Sequence, residues 1–261
     1  MHKSAGVSCR KLRTCEYMLQ YSDQQIETSA NAKAKYHMTA EQNIFAAGRN
    51  IINCMYKSAG LEGIGVTYPD TEAIFNGMNA AGISLNDAVA VNNLKHACQF
   101  VLDNIDCPMD YQYICKINQI IGGNNLVVRA GFVRNVPAAI GGAEWKPKMP
   151  SESKIKEKIA DIQMTARVTG RAVTLMFYLT GRQMFFYGNK RTSMLAANQV
   201  MISNGCGIIS VPVECQREFA VQLVHFYETN EKQELRNFIY ENCIDGISFE
   251  NINETEAPKI Y

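Results

Sequence analysis

The residues best suited to chemistry cluster at Gln183-Met184-Phe185-Phe186-Tyr187-Gly188-Asn189-Lys190-Arg191-Thr192, which continues into Ser193-Met194-Leu195-Ala196-Ala197-Asn198-Gln199-Val200-Met201. Gly188 marks a turn, and the residues after it read as a helix, so Asn189, Lys190, Arg191 and Thr192 fall in a first helical turn. Helix starts expose unpaired N–H groups and a partial positive charge. Two cations and a hydroxyl added there make an anion site, for phosphate above all, the functional reading. A basic, solvated helix start is the plain structural reading of the same residues.

The elements that must hold this turn are helical. Residues 1 to about 38 are a polar lead-in of weak periodicity. A helix opens at Thr39, with Gln42 in capping-box spacing, and Ile44, Phe45, Ile51, Ile52 and Met55 carry it to about Lys57. Asp70 or Thr71 caps a short helix to about Met78, and Ser84 caps another from Leu85 to about Leu102. Met109 to Ile121 is helical and stops at Gly122-Gly123, which lacks the G-K-[S/T] continuation of a phosphate loop. Phe132–Val136 and Ala138–Ile140, punctuated by Pro137 and Gly141-Gly142, predict one β-hairpin within about 127–150. Ser151 caps a helix over 152–163, a further helix runs from about Ala166 to Thr180, and the one after Gly188 ends near Asn204-Gly205. Helices from about Glu214 to Tyr227 and Glu231 to Glu241 complete a mainly α chain with a single hairpin.

At 261 residues the chain makes one large domain or two small ones. Its 26 Lys+Arg against 25 Asp+Glu give no field that draws nucleic acid or an anionic membrane. No apolar run approaches a membrane span, and the basic N-terminal residues lack a following apolar segment, so no signal peptide is expected. Nine cysteines without a C-x-x-C pair favour reduced thiols and a cytoplasmic location over a disulfide framework or metal cluster.

On these residues the chain resembles the Fic/Doc (Fido-fold) family, whose loop has the form H-x-F-x-[D/E]-G-N-[G/K]-R between two helices. Phe185, Gly188, Asn189, Lys190 and Arg191 match in spacing. Ser58-Ala59-Gly60-Leu61-Glu62-Gly63 fits the family's inhibitory pattern [S/T]-x-x-x-E-[G/N], and Gly131-Phe132-Val133-Arg134 followed by Ile140-Gly141-Gly142 is similar to its flap hairpin. The likeness covers roughly 40 to 245, within a single Fic-like domain over 39–261. It implies a Fic-type helical bundle with a β-hairpin flap. It also implies transfer of a phosphate-containing group, usually AMP from ATP, to a protein hydroxyl, with Mg²⁺ on the acidic loop residue. Gly188, Asn189, Lys190, Arg191 and Thr192 are then the phosphate cradle, and Ser58, Glu62 and Gly63 the inhibitory segment. Ile140, Gly141 and Gly142 belong to the flap, which aligns a protein target by strand addition.

Three positions depart from that pattern. Gln183 stands where the family has its catalytic histidine, and an amide orients a hydroxyl but takes no proton from it. His2, His37, His96 and His225 all lie far from the loop in the chain. Tyr187 occupies the metal position, where a neutral phenol is a poor Mg²⁺ ligand. Met194 replaces the second arginine, the usual partner of the inhibitory glutamate, and leaves Lys190 or Arg191 for Glu62. Phe185 is a core anchor, Trp145 a partly buried anchor near the hairpin, and Arg134 a partner for a flap carboxylate. Ser58 and Glu62 also fit an exposed i, i+4 pair. Three functions therefore follow: a weakened Fic-type adenylyltransferase, a non-catalytic nucleotide- or anion-binding protein, or an interaction module presenting the flap. ATP or another nucleotide is the implied cofactor, with Mg²⁺ disfavoured. A protein docking at the flap is the implied partner, and a homo-oligomer is compatible with the sequence.

Overall fold

A computed structural model describes residues 33–248. Among the described residues ten α-helices follow one another: α1 (Ala40–Arg49), α2 (Ile51–Gly60), α3 (Tyr68–Phe75), α4 (Leu85–Asp103), α5 (Tyr111–Ile121), α6 (Glu152–Gln163), α7 (Val168–Arg182), α8 (Asn189–Ile202), α9 (Gln216–Thr229) and α10 (Gln233–Asn242). The strands β1 (Ile208–Ile209) and β2 (Ile244–Asp245) form an antiparallel pair, with Ile208 opposite Asp245 and Ile209 opposite Ile244. The mainly α expectation holds. The lead-in expected over 1–38 lies outside the described residues as far as residue 32.

Helix α8 is the centre of the bundle. Every residue from Arg191 to Ile202 is buried, and α1, α4, α5, α7 and β1 all pack on it. A helix enclosed on all sides must satisfy its polar groups internally. Asn198 does so by donating to Ile209 O at 2.9 Å and accepting from Ile209 N at 2.6 Å, which pins β1. Gln199 donates to Ile105 O and Cys107 O beyond the end of α4. Ser193 shares a 2.6 Å hydrogen bond with Thr180 of α7. Small residues at Ser193, Ala196 and Ala197, all fully buried, let the neighbouring helices approach.

Local signals account for several boundaries. Thr39 and Gln42 form both halves of a capping box, and Ser84 caps α4 through Asp87 N. The expected single helix from Thr39 to Lys57 is instead α1 and α2, broken at Asn50, whose φ/ψ of −98°/8° departs from helical values. Thr67, rather than Asp70 or Thr71, caps α3 and uses Asp70 as its reciprocal partner. Asp110 caps α5, so that helix starts at Tyr111 rather than Met109.

The hairpin expected within 127–150 does not form a ladder. The two-stranded pair lies at Ile208–Ile209 and Ile244–Asp245, and Val133 makes only an isolated antiparallel bridge, with Phe185. Ile140 to Ala143 form a turn closed by Ala143 N donating to Ile140 O, with Gly141 and Gly142 exposed. The reason is Arg134. Its buried guanidinium gathers carbonyls from Val136, Pro147 and Lys148, so this backbone bonds to a side chain instead of a neighbouring strand.

Candidate active site

The loop between α7 and α8 closes by bonds made within a few residues. Gln183 ends α7 in the left-handed region at φ 45°, an uncommon setting for a residue with a Cβ. Three contacts hold it: its N–H donates to Leu179 O, its Nε2 donates to Thr180 O at 2.9 Å, and its carbonyl accepts from Arg134 Nε at 2.6 Å. Phe185 is 3% exposed and anchors the loop in the core. Asn189 folds its side chain back to accept from Phe185 N and donate to Phe185 O, both at 2.9 Å. Gly188 begins α8 at φ 69°, and an added Cβ would lie 2.6 Å from Ile121 Cγ2. Only glycine fits a left-handed turn pressed this closely against α5.

Asn118, set among the buried Ile114, Ile117 and Ile121 on α5, ties three segments to one amide. Its Nδ2 donates to Tyr187 O and to Thr192 Oγ1, and its Oδ1 accepts from Gly131 N. Thr192 is 1% exposed and its hydroxyl is committed to Asn118. That hydroxyl, expected in the phosphate cradle, serves here as an acceptor for Asn118.

Charge at the α8 start converges on one carboxylate. Glu62, just past the end of α2, has Oε2 3.6 Å from Lys190 Nζ and Oε1 3.7 Å from Arg191 Nε. Lys190 Nζ also donates to Leu61 O at 3.0 Å, which fixes the segment before Gly63 against α8. Arg191 is buried, with its guanidinium 4.6 Å from the centre of the Tyr187 ring. Its separation from Glu62 is too long for a hydrogen bond. Arg191 Nε, Arg191 Nη1 and Glu62 Oε1 are all buried without a hydrogen-bond partner among the described residues. Arg191 Nε and Glu62 Oε1 thus face each other unbonded at the helix start, and Arg191 Nη1 is a second buried donor without a partner.

The remaining expected residues separate. Ser58 is buried and lines a small void of about 20 Å³ with Met194, Leu195 and Asn198, away from the exposed pair geometry also considered for it. Met194 is buried beside this void. Gly63 turns the chain at φ 70° after Glu62. Arg134 binds backbone carbonyls and Met149 Sδ, and no flap carboxylate pairs with it. His96 is exposed, and His225 pairs with Glu231 at 3.4 Å.

Tyr227 on α9 was not singled out from sequence. Its ring stacks on Trp145 at 6.0 Å, and burial with the nearby Glu62 charge pushes its hydroxyl above the ordinary phenol range, with the Gln183 side chain opposing. Glu228 beside it accepts from the N–H groups of Glu144 and Trp145, docking the 127–150 segment onto α9. The aromatic character of Trp145 was the one visible signal for this contact.

A divalent cation does not fit these residues. The ring at Tyr187 covers a guanidinium, Glu62 is engaged by two cations, and no group of three or more His, Cys, Asp or Glu side chains among the described residues is placed to hold a metal. At the same helix start Arg191 keeps two side-chain donors without a hydrogen-bond partner among the described residues.

No protein-family model matches the sequence, and no curated protein sequence matches it. Solved structures do. A Fic domain-containing signalling protein from Bacteroides thetaiotaomicron superposes with a TM-score of 0.64 at 16% identity, over 83% of this chain and 90% of that one. Fic-1 (residues 134–508) from C. elegans gives 0.60 at 20% identity, over 88% and 70%. A Fic family protein from Desulfovibrio desulfuricans gives 0.62 at 14% identity, over 92% and 73%. Helical order, the α7–loop–α8 turn and these superpositions agree that the chain adopts the Fic (Fido) fold.

Proposed function

We propose that this protein binds the phosphate groups of a nucleotide at the start of α8, with Glu62 competing for the same cations, and that it transfers such groups poorly or not at all. The observation that carries the reading is the buried Arg191 guanidinium. It has two donors without partners and faces a carboxylate beyond hydrogen-bond distance. A buried charge left short of hydrogen bonds is costly, and phosphate oxygens would supply acceptors that Glu62, beyond hydrogen-bond distance, does not. Glu62 is then the internal occupant that a ligand must displace.

Chemistry downstream of binding lacks its groups. Gln183 carries no proton-accepting nitrogen, and its Nε2 is already used by Thr180 O. Loss of general-base catalysis typically costs about 10²–10⁴-fold. Tyr187 supplies no carboxylate for Mg²⁺, so no metal-assisted step is assigned. Calorimetric titration with ATP tests the binding: saturable binding to the unaltered protein that Arg191→Met weakens at least about tenfold is the expected result, and equal affinity in both proteins would refute it.

Adenylyl transfer to a protein hydroxyl is the second reading, favoured by the Fic fold itself. Intact-mass analysis with ATP and Mg²⁺ separates the two, because a stoichiometric mass gain on the protein or a presented target would overturn the non-catalytic reading.

A further inference from the structure

A groove of about 580 Å³ opens where the start of α5 meets α6 and the first turn of α7, a size usual for small-molecule sites. It lies far from the loop: Arg171 and Gln183 are separated by about 18 Å along α7, at a rise of ~1.5 Å per residue. Met109, Tyr111 and Ile159 give it an apolar, partly aromatic wall, and Lys156, Gln163 and Arg171 give it polar donors. Arg171 Nη1 donates to Gln163 O at 3.2 Å. Arg171 Nε and Gln163 Nε2 are buried without a hydrogen-bond partner among the described residues. Lys156 Nζ sits 4.9 Å from the centre of the Tyr111 ring and 2.7 Å from Glu152, an exposed pair that is easily exchanged. The other carboxylate on the groove, Asp110, is occupied as the cap of α5, accepting from Tyr113 N.

We infer that this groove binds a small organic anion with an aromatic body. The anionic head lies at the Arg171 and Gln163 end of the groove, and the ring lies against Met109, Tyr111 and Ile159 beside Lys156. The cations of Arg171 and Lys156 favour a charged acceptor, and the apolar wall favours a flat hydrophobic remainder.

Fluorescence titration with anilinonaphthalene sulfonate, and with the uncharged phenylnaphthylamine as its matched body, tests the assignment. The unaltered protein is expected to bind one sulfonate. Arg171→Gln should weaken the sulfonate at least about tenfold while changing the uncharged probe less than about twofold, since only the charged hydrogen bond is lost. Lys156→Ala, at an exposed side chain, should weaken the sulfonate by roughly two- to fivefold, and this variant keeps the test available if Arg171→Gln fails to fold. Arg191→Met should leave sulfonate binding unchanged, which separates this groove from the α8 start. Absent saturable binding, equal losses for both probes, no loss in Lys156→Ala, or loss in Arg191→Met would each overturn the inference.

Discussion

Two arginines, Arg134 and Arg191, are equally buried at 2% exposure and flank the same loop, yet their surroundings are opposite. Arg134 donates to the carbonyls of Gln183, Val136, Pro147 and Lys148 and to Met149 Sδ. Burial alone pulls its pKa down from the usual arginine value, and those acceptors keep the charge in place. Arg191 has an aromatic ring on one side, a distant carboxylate on the other, and two donors with no partner. Burial by itself therefore says little about role. A buried arginine whose donors are all spent is a staple, and one whose donors are unspent is poised for a ligand.

The largest way to break this contrast is Arg134→Met. It strands several carbonyls that now share charged hydrogen bonds worth about 1.5–3 kcal/mol each, so a stability loss of roughly 3–4 kcal/mol is expected in urea unfolding. Arg191→Met, a swap of similar shape at a site without hydrogen bonds to lose, should cost less than about 1.5 kcal/mol. Equal losses for the two would erase the distinction. Next in size, Glu62→Gln should tighten ATP binding about tenfold, or ~1.4 kcal/mol, readable by calorimetry.

Alkaline unfolding sharpens the comparison by sparing both arginines, which stay charged throughout. Burial pushes the Cys54 thiol up to about 11 and the Cys243 thiol up to about 12, against an ordinary value of about 8.5. A raised thiol pKa favours the neutral form in the folded state. Its stabilisation is complete below the unfolded value and is lost as pH rises through the folded one. Thermal scans should show constant stability to about pH 8.5 and a loss of at least about 1 kcal/mol by pH 10, with no parallel loss in ATP affinity per folded molecule. The smallest effect belongs to Gln183→His. The new imidazole still has no carboxylate at Tyr187 to organise Mg²⁺, so self-modification in an intact-mass assay should stay near background. Strong labelling would show that the base alone was missing.

What could be read from sequence follows the range of the interactions. The capping box at Thr39 and Gln42 and the Ser84 cap of α4 involve residues within a turn of each other, and their positions were legible. Asn50 was not, because the apolar spacing of Ile44, Ile51 and Met55 runs straight across the break. The 127–150 segment misled for a related reason: Phe132–Val136 has strand composition, but Arg134 redirects its carbonyls through contacts reaching Lys148 and Gln183. The real strands are two residues each, too short for any period to register. At the site, Glu62, Lys190 and Arg191 were named as candidates, and the structure brings them together. Tyr227 and Asn118 stayed hidden because an apolar or half-apolar face gives no sign that one of its members touches a loop distant in the chain.

Under the proposed function, Glu62 and a phosphate ligand compete for Arg191. A double-mutant cycle on ATP affinity tests it most directly, using the unaltered protein, Glu62→Gln, Arg191→Met and the double variant. Glu62→Gln is expected to tighten binding about tenfold when Arg191 is present and to have no effect when Met replaces it. An equal gain in both backgrounds would contradict it, placing the influence of Glu62 outside the Arg191 guanidinium.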